Sequence, residues 1–302
     1  MANIAVKRIH VDIKNCKKGN LDENHIYIIP DEDDIYHVRA MILGPDDTPY
    51  EKGFYFFDIH FPKTYPHDPP KVQFMTLNND IRFNPNLYKC GKVCLSILGT
   101  WSGPQWTSCI TLKTILFSIQ SLLNDNPLQN EPGYETCIDE KSKLYRTVVE
   151  YYNVKVALIQ MMNFTPNGFE GFRPKMMEYF MKNYSFFYEY LMKNLNNRNK
   201  VYSRIYSTVV YPEYPELAKQ MEDLKIYVSN ELETKEILDS KHDSHDEVES
   251  IQPLEETPKQ KRKCPSTPAK NFEEGFVKAS EHDGRLYRVK VIKSGIKRWV
   301  AN

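Results

Sequence analysis

The sequence predicts an α+β fold: a four-stranded antiparallel meander packed on helices, then a C-terminal helical extension and a small β-rich tail. Three observations lead there. Period-two alternation broken by turn residues runs from Ile26 to Met75, and helical spacing of apolar residues takes over from Leu112. The segment from Lys235 to Asn271 then has no aromatic residue before strand-like signals return.

Taken in order, Val6 to Cys16 reads as a short first helix. Ile26 to Ile29, Tyr36 to Ile42, Phe54 to Phe61 and Val72 to Met75 read as strands; in the second, Tyr36, Val38, Ala40 and Ile42 share one face. Gly44-Pro45-Asp46-Asp47-Thr48-Pro49 and Lys52-Gly53 supply turns between strands, as an antiparallel meander requires. Leu112, Ile115, Leu116, Ile119, Leu122 and Leu123 keep helical spacing and give one face to the sheet. From Asp139 the pattern is helical again, with Tyr145, Val148, Tyr152, Val156 and Ile159 as the repeating positions. Pro174 suits the first turn of a further helix, whose stripe of Phe180, Tyr184, Phe187, Leu191 and Leu195 reads as core. Leu217, Met221, Leu224, Val228 and Leu232 predict one more.

The expected organisation is a main domain over residues 1–152, a helical extension packed on it over 153–234, a disordered charged linker over 235–271 and a small basic β-module over 272–302. In the module, Gly275-Phe276-Val277, an Asp283-Gly284 turn, Leu286 to Ile292 and Lys297-Arg298-Trp299-Val300 carry the signals. Its basic face, with Tyr287 and Trp299, suits either nucleic-acid contact or plain β packing.

Composition narrows the class. The chain has 302 residues, with 40 Lys and Arg against 40 Asp and Glu, so zero formal net charge argues against a global grip on nucleic acid. Six cysteines without framework spacing point to a reducing compartment. Met1 to Lys14 lacks an apolar signal core and no long apolar run exists, so an intracellular protein without membrane contact is expected, in the cytoplasm. The cluster Lys259-Gln260-Lys261-Arg262-Lys263 reads either as a nuclear import signal or as solvated charge.

The chemistry is concentrated in Arg82-Phe83-Asn84-Pro85-Asn86, followed eight residues after Asn86 by Cys94 in Gly91-Lys92-Val93-Cys94-Leu95-Ser96-Ile97-Leu98. A thiol that carries an acyl group as a thioester needs a donor aimed at the carbonyl oxygen, because amine attack puts negative charge there. An Asn side chain supplies that donor without titrating. Taken alone, the two residues also suit a core cysteine and a turn former.

Their surroundings decide the matter. Phe54-Tyr55-Phe56-Phe57-Asp58-Ile59-His60-Phe61-Pro62, Tyr65-Pro66-His67-Asp68-Pro69-Pro70-Lys71-Val72-Gln73-Phe74, Trp106-Thr107-Ser108 and the helical Leu112 to Leu123 follow one another in an order that resembles the ubiquitin-conjugating enzyme family. The likeness covers roughly Ile4 to Tyr152. Cys94-Leu95-Ser96-Ile97-Leu98, Gly99-Thr100-Trp101-Ser102-Gly103-Pro104 and Asn130-Glu131-Pro132-Gly133 extend it to the type Z members, which carry a comparable helical extension. The tail resembles short C-terminal modules on proteins of giant DNA viruses.

The family resemblance implies the ubiquitin-conjugating-enzyme fold, Cys94 as the thioester cysteine and Asn86 as the oxyanion-stabilising asparagine. It implies partners as well. An activating enzyme that uses ATP delivers ubiquitin or a ubiquitin-like modifier, substrate proteins offer a lysine, and a ligase assists where one is used. No cofactor and no metal is expected on the chain itself.

Departures from the family pattern mark further candidates. Asn84 stands where most members have His and can hold the loop by hydrogen bonds. Ser96 stands where many have Asp, which removes an acid beside the thiol. The loop from Leu98 to Gln105 is longer than the common pattern and brings Trp101, either as an overhanging specificity element or as the buried residue of a Gly-rich turn. Ser108-Cys109 replaces a Pro-Ala pair in the ligase-contacting loop. The acceptor that orients the incoming lysine falls at Asn130-Glu131-Pro132, where Glu131 is equally readable as a solvated loop carboxylate.

Other readings make distinct demands. An inactive scaffold that binds ubiquitin or peptides is the main alternative, and the presence of both Cys94 and Asn86 argues against it. A thiol hydrolase needs a His in reach of Cys94, and the eight histidines show no pairing signature. Cys90 and Cys94 are spaced C-x-x-x-C, yet no second close pair completes a zinc set.

Overall fold

The computed structural model describes residues 2–19, 21–243, 273–275, 277–279, 286–291 and 297–301. Helix α1 (Ala2–Lys18) leads into a sheet of β1 (Ile26–Pro30), β2 (His37–Leu43), β3 (Phe54–His60) and β4 (Lys71–Phe74), in the order β1-β2-β3-β4 and antiparallel throughout. All four strands lie within a residue or two of the positions their alternation predicts, the usual uncertainty of element ends. The β2–β3 register separates two faces. Val38, Ala40 and Ile42 pair with Ile59, Phe57 and Tyr55 on one, and His37, Arg39, Met41 and Leu43 pair with His60, Asp58, Phe56 and Phe54 on the other.

Helix α2 (Leu112–Gln120) starts at Thr111, whose hydroxyl accepts the Thr114 N–H, and buries Leu112, Ile115, Leu116 and Ile119 in the common core. Helix α3 (Glu140–Tyr152) is capped by the Asp139 carboxylate and does not stop at the expected domain edge. It continues as a π-helical stretch, Asn153–Gln160, and then as α4 (Met161–Asn163). Asn153 explains the unbroken run: its side chain accepts from the Tyr55 hydroxyl at 2.7 Å and donates to the Glu51 carbonyl at 2.9 Å. Gly53 makes this approach possible, since a Cβ there would stand 2.0 Å from Asn153 Oδ1.

The extension covers the second sheet face. Phe169 and Phe172 meet the Phe56 ring at 5.2 and 6.0 Å, and Tyr179 meets Phe54 at 6.3 Å. The aromatic stripe expected as one helix is split into α5 (Arg173–Lys182) and α6 (Tyr184–Asn194). Asn183 makes the break, its side chain donating to the Tyr179 carbonyl at 2.8 Å in competition with the helix. A hairpin that periodicity did not announce follows, β5 (Val201–Ser203) and β6 (Thr208–Val210). Helix α7 (Tyr214–Asp243) buries Leu217, Met221, Leu224 and Val228 and runs nine residues into the expected linker.

Residues up to His242 form one compact unit. A second unit contains the antiparallel strands β7 (Val277–Ala279), β8 (Leu286–Val291) and β9 (Lys297–Ala301), with Tyr287 and Val289 buried. The rest of the expected linker, the Lys259–Lys263 cluster, Cys264 and the Asp283-Gly284 turn lie outside the described residues. No helix among the described residues is long and apolar enough to cross a membrane.

Candidate active site

Asn84 is the hub of the loop before Cys94. It is fully buried, and its side chain makes three hydrogen bonds. Oδ1 accepts the Asn86 N–H at 2.9 Å, while Nδ2 donates to the Leu122 carbonyl at 2.7 Å and to the Tyr50 hydroxyl at 2.9 Å. Tyr50 in turn donates to the Phe83 carbonyl at 2.7 Å. This closed network fixes Asn86, whose Nδ2 donates to the Cys94 carbonyl at 2.7 Å while the Cys94 N–H donates back to the Asn86 carbonyl at 2.9 Å. One of the two N–H bonds of that amide is thus committed and the other is left over. Asn86 Oδ1 is buried without a partner among the described residues. Cys94 is a free thiol only 1% exposed. Among the described residues, no histidine is hydrogen-bonded to it, as a thiol hydrolase would require.

The longer loop after Cys94 folds back on the same segment. The Thr100 hydroxyl donates to the Val93 carbonyl at 2.8 Å and accepts the Leu95 N–H at 2.9 Å, bracketing Cys94 from both sides. Ser96 sits in a short 3-10 turn, and a Cβ at Gly103 would come within 3.0 Å of its Cβ. Trp101 is 38% exposed, so the reading of a buried Trp inside a surface turn is set aside. In the loop before α2, the carbonyls of Ser108 and Ile110 accept from Arg8 of α1 at 2.7 and 2.8 Å, and the Trp106 indole donates to the Pro66 carbonyl at 2.8 Å. Cys90 and Cys109 are exposed free thiols.

Across the site, Asn130 is occupied by the scaffold: its Nδ2 donates to the same Leu122 carbonyl at 3.0 Å and its Oδ1 accepts from Asn124 at 3.2 Å. Glu131 is half-buried. Its Oε2 accepts the hydroxyl of Tyr206, on the turn between β5 and β6, at 2.5 Å. Burial first, and then this bond, push the Tyr206 phenol above its ordinary range. The Tyr206 ring lies over the Arg82 guanidinium at 4.2 Å, and Tyr88 covers Arg82 from 3.7 Å. Arg82 donates to the Pro85 carbonyl of the catalytic loop and accepts at its own carbonyl from Tyr145 at 2.7 Å.

With this geometry, comparison with known proteins is decisive for the domain. The family model for ubiquitin-conjugating enzyme matches residues 8–153. These residues are a ubiquitin-conjugating enzyme domain. Ubiquitin-conjugating enzyme E2 Z of Xenopus tropicalis is 41% identical over 191 residues, 62% of this chain and 59% of the relative. The protein of that name from Homo sapiens is 43% identical over 167 residues, 54% of this chain and 46% of its own length. Putative ubiquitin-conjugating enzyme E2 39 of Arabidopsis thaliana is 47% identical over 135 residues, 43% and 42% of the two chains. The chain thus spans about half the length of the curated relatives it matches.

The conjugating domain also recruits residues that sequence reasoning passed over. Arg82 and Tyr88 flank the recognised motif but have no spacing that marks them. Tyr206 lies beyond the matched residues, in a segment whose three-residue strands are too short to alternate visibly.

Proposed function

We propose that the chain accepts ubiquitin or a ubiquitin-like protein from an activating enzyme as a thioester on Cys94 and passes it to a substrate lysine. The Cys94 sulfur forms a bond to the modifier's terminal carbonyl carbon as the activating enzyme's thiol leaves. The lysine nitrogen then attacks that carbon, charge builds on its oxygen, the C–S bond breaks and the amine proton is lost to solvent or a nearby acceptor. The observation that carries this reading is the Asn86 side-chain amide, fixed by a 2.7 Å hydrogen bond to the backbone carbonyl of Cys94 and with one N–H to spare. A fixed neutral donor there costs no reorganisation when the oxyanion forms. Cys94 is only 1% exposed, so charging requires its cover to open.

Asn130 positions the loop, and Glu131, steered by Tyr206, is the carboxylate offered to the incoming ammonium. A free lysine of pKa about 10.4 is protonated at neutral pH and needs such an acceptor before it attacks.

A charging reaction tests the proposal: chain, activating enzyme, ATP and ubiquitin, resolved on a non-reducing gel beside Cys94→Ala. A thiol-labile adduct of one modifier mass that is lost in Cys94→Ala is the expected result. An adduct that survives in Cys94→Ala, or none with ubiquitin or any ubiquitin-like modifier and its activating enzyme, overturns it.

A further inference from the structure

The second sheet face is not covered to its end. Beyond the aromatic contacts with Phe56, the register places His37 directly across from His60, with Asp58 two residues earlier on the same side of β3. The two imidazoles stack at 4.1 Å with 14° between their planes. Both aim Nε2 at one carboxylate: His37 at Asp58 Oδ1, 2.5 Å, and His60 at Asp58 Oδ2, 2.9 Å. One donor atom from each of the three residues lies within 4.8 Å of the others. Two imidazole nitrogens and a carboxylate are the donor set that suits zinc-class ions, whereas calcium and magnesium take oxygen.

The geometry points to His37, Asp58 and His60 as a three-ligand site for a divalent transition metal of the zinc class. Bonds of about 2.0–2.2 Å in tetrahedral array put donors roughly 3.3 Å apart, so the imidazoles need to withdraw from the carboxylate by less than about 1 Å and to turn out of their stack until both ring planes meet at the ion. The surroundings complete what a bound ion requires. His37 Nδ1 faces Asp31 Oδ2 at 3.6 Å, so a metal on Nε2 leaves the ring proton where a second carboxylate receives it. Asp31 is itself held by Arg39 at 2.9 Å and by the N–H groups of Asp33 and Asp34 at 3.0 Å. Arg39 is thereby engaged by Asp31, and the cleft beside Asp58 and His60 also carries Lys71, the register partner of His60, together with Lys92 and Cys90. His60 is half exposed, and it and Asp58 line an open cleft that gives an ion its way in and leaves a fourth position for water. The site would staple β2 to β3 and owes nothing to Cys94.

The full chain, stripped of metal with a chelator, is titrated with Co2+ and with Zn2+. We expect one ion per chain, a cobalt spectrum without thiolate charge-transfer bands, and a Zn2+-dependent rise in Tm. Asp58→Asn and His60→Gln, both of which preserve size, each weaken binding by more than about tenfold, and Asp31→Asn weakens it by about tenfold as a supporting carboxylate does. Binding unchanged in Asp58→Asn and His60→Gln overturns the site. Thiolate bands that vanish on alkylation, or no saturable binding below about millimolar metal, do so as well.

Discussion

The Asn86 amide and the Glu131 carboxylate are held in different ways. On the Asn86 side, every support comes from within the matched domain: Asn84, Tyr50 and the Leu122 carbonyl are buried neighbours closing a short network. On the Glu131 side, the last contact comes from Tyr206, 75 residues further along the chain. The first side is rigid by its own chemistry, and the second is set by the docking of the extension. In the proposed mechanism the Asn86 donor and the Glu131 carboxylate are thus held largely apart, meeting only at Arg82, which carries the Tyr206 ring and donates to the Pro85 carbonyl, and at the Leu122 carbonyl that Asn84 and Asn130 share.

Substitutions on each side test that separation, the largest effect being expected at the hub. Asn84→Ala leaves the Asn86 N–H unpaired and takes one of two partners from the Tyr50 hydroxyl and from the Leu122 carbonyl, and should destabilise the chain by about 3 kcal/mol and reduce charging and transfer together. Urea midpoints alongside the gel assay measure both. Asn86→Ala should leave charging of Cys94 largely intact and slow isopeptide formation by more than about tenfold, the loss of one oxyanion donor. Equal loss in both steps would mean that Asn86 only holds the loop.

Tyr206→Phe keeps the ring on Arg82 and removes only the hydroxyl on Glu131. A stability loss of about 1 kcal/mol is expected, with charging unchanged and transfer reduced by a factor of about three. If Tyr206→Phe slows charging as much as transfer, the two sides are not independent. The smallest effect is expected away from the site, at Cys16. Burial first, with the Asp12 charge adding, pushes its thiol from 9.0 up to about 12. The unfolded chain releases that proton near pH 9 and the folded one keeps it to about 12, so this group subtracts stability as pH rises through that window and contributes no slope below it. Cys16→Ala should flatten the alkaline decline in urea midpoint.

Sequence legibility follows the same division. Val38, Ala40 and Ile42 alternate because one face of β2 is core, and Asn86 and Cys94 stand in a motif whose order is distinctive, so sheet and thiol were readable. The break at Asn183 was not, because the apolar stripe keeps helical phase across it. The β5–β6 turn was hidden for another reason: Tyr206 and Ser207 hold positive φ values of 55° and 49° without a glycine to announce them. His37 and His60 looked scattered because strand register, not spacing, brings them together.

The Asn153 contact has a consequence for where this chain can be divided. The family match ends at residue 153, which invites a cut at the preceding tyrosine. That cut would strand the Tyr55 hydroxyl and the Glu51 carbonyl and strip Phe169 and Phe172 from Phe56, baring the second sheet face to water. The end of the family match is therefore not a seam in the material, and an intact conjugating domain is obtained only together with the helices that follow it.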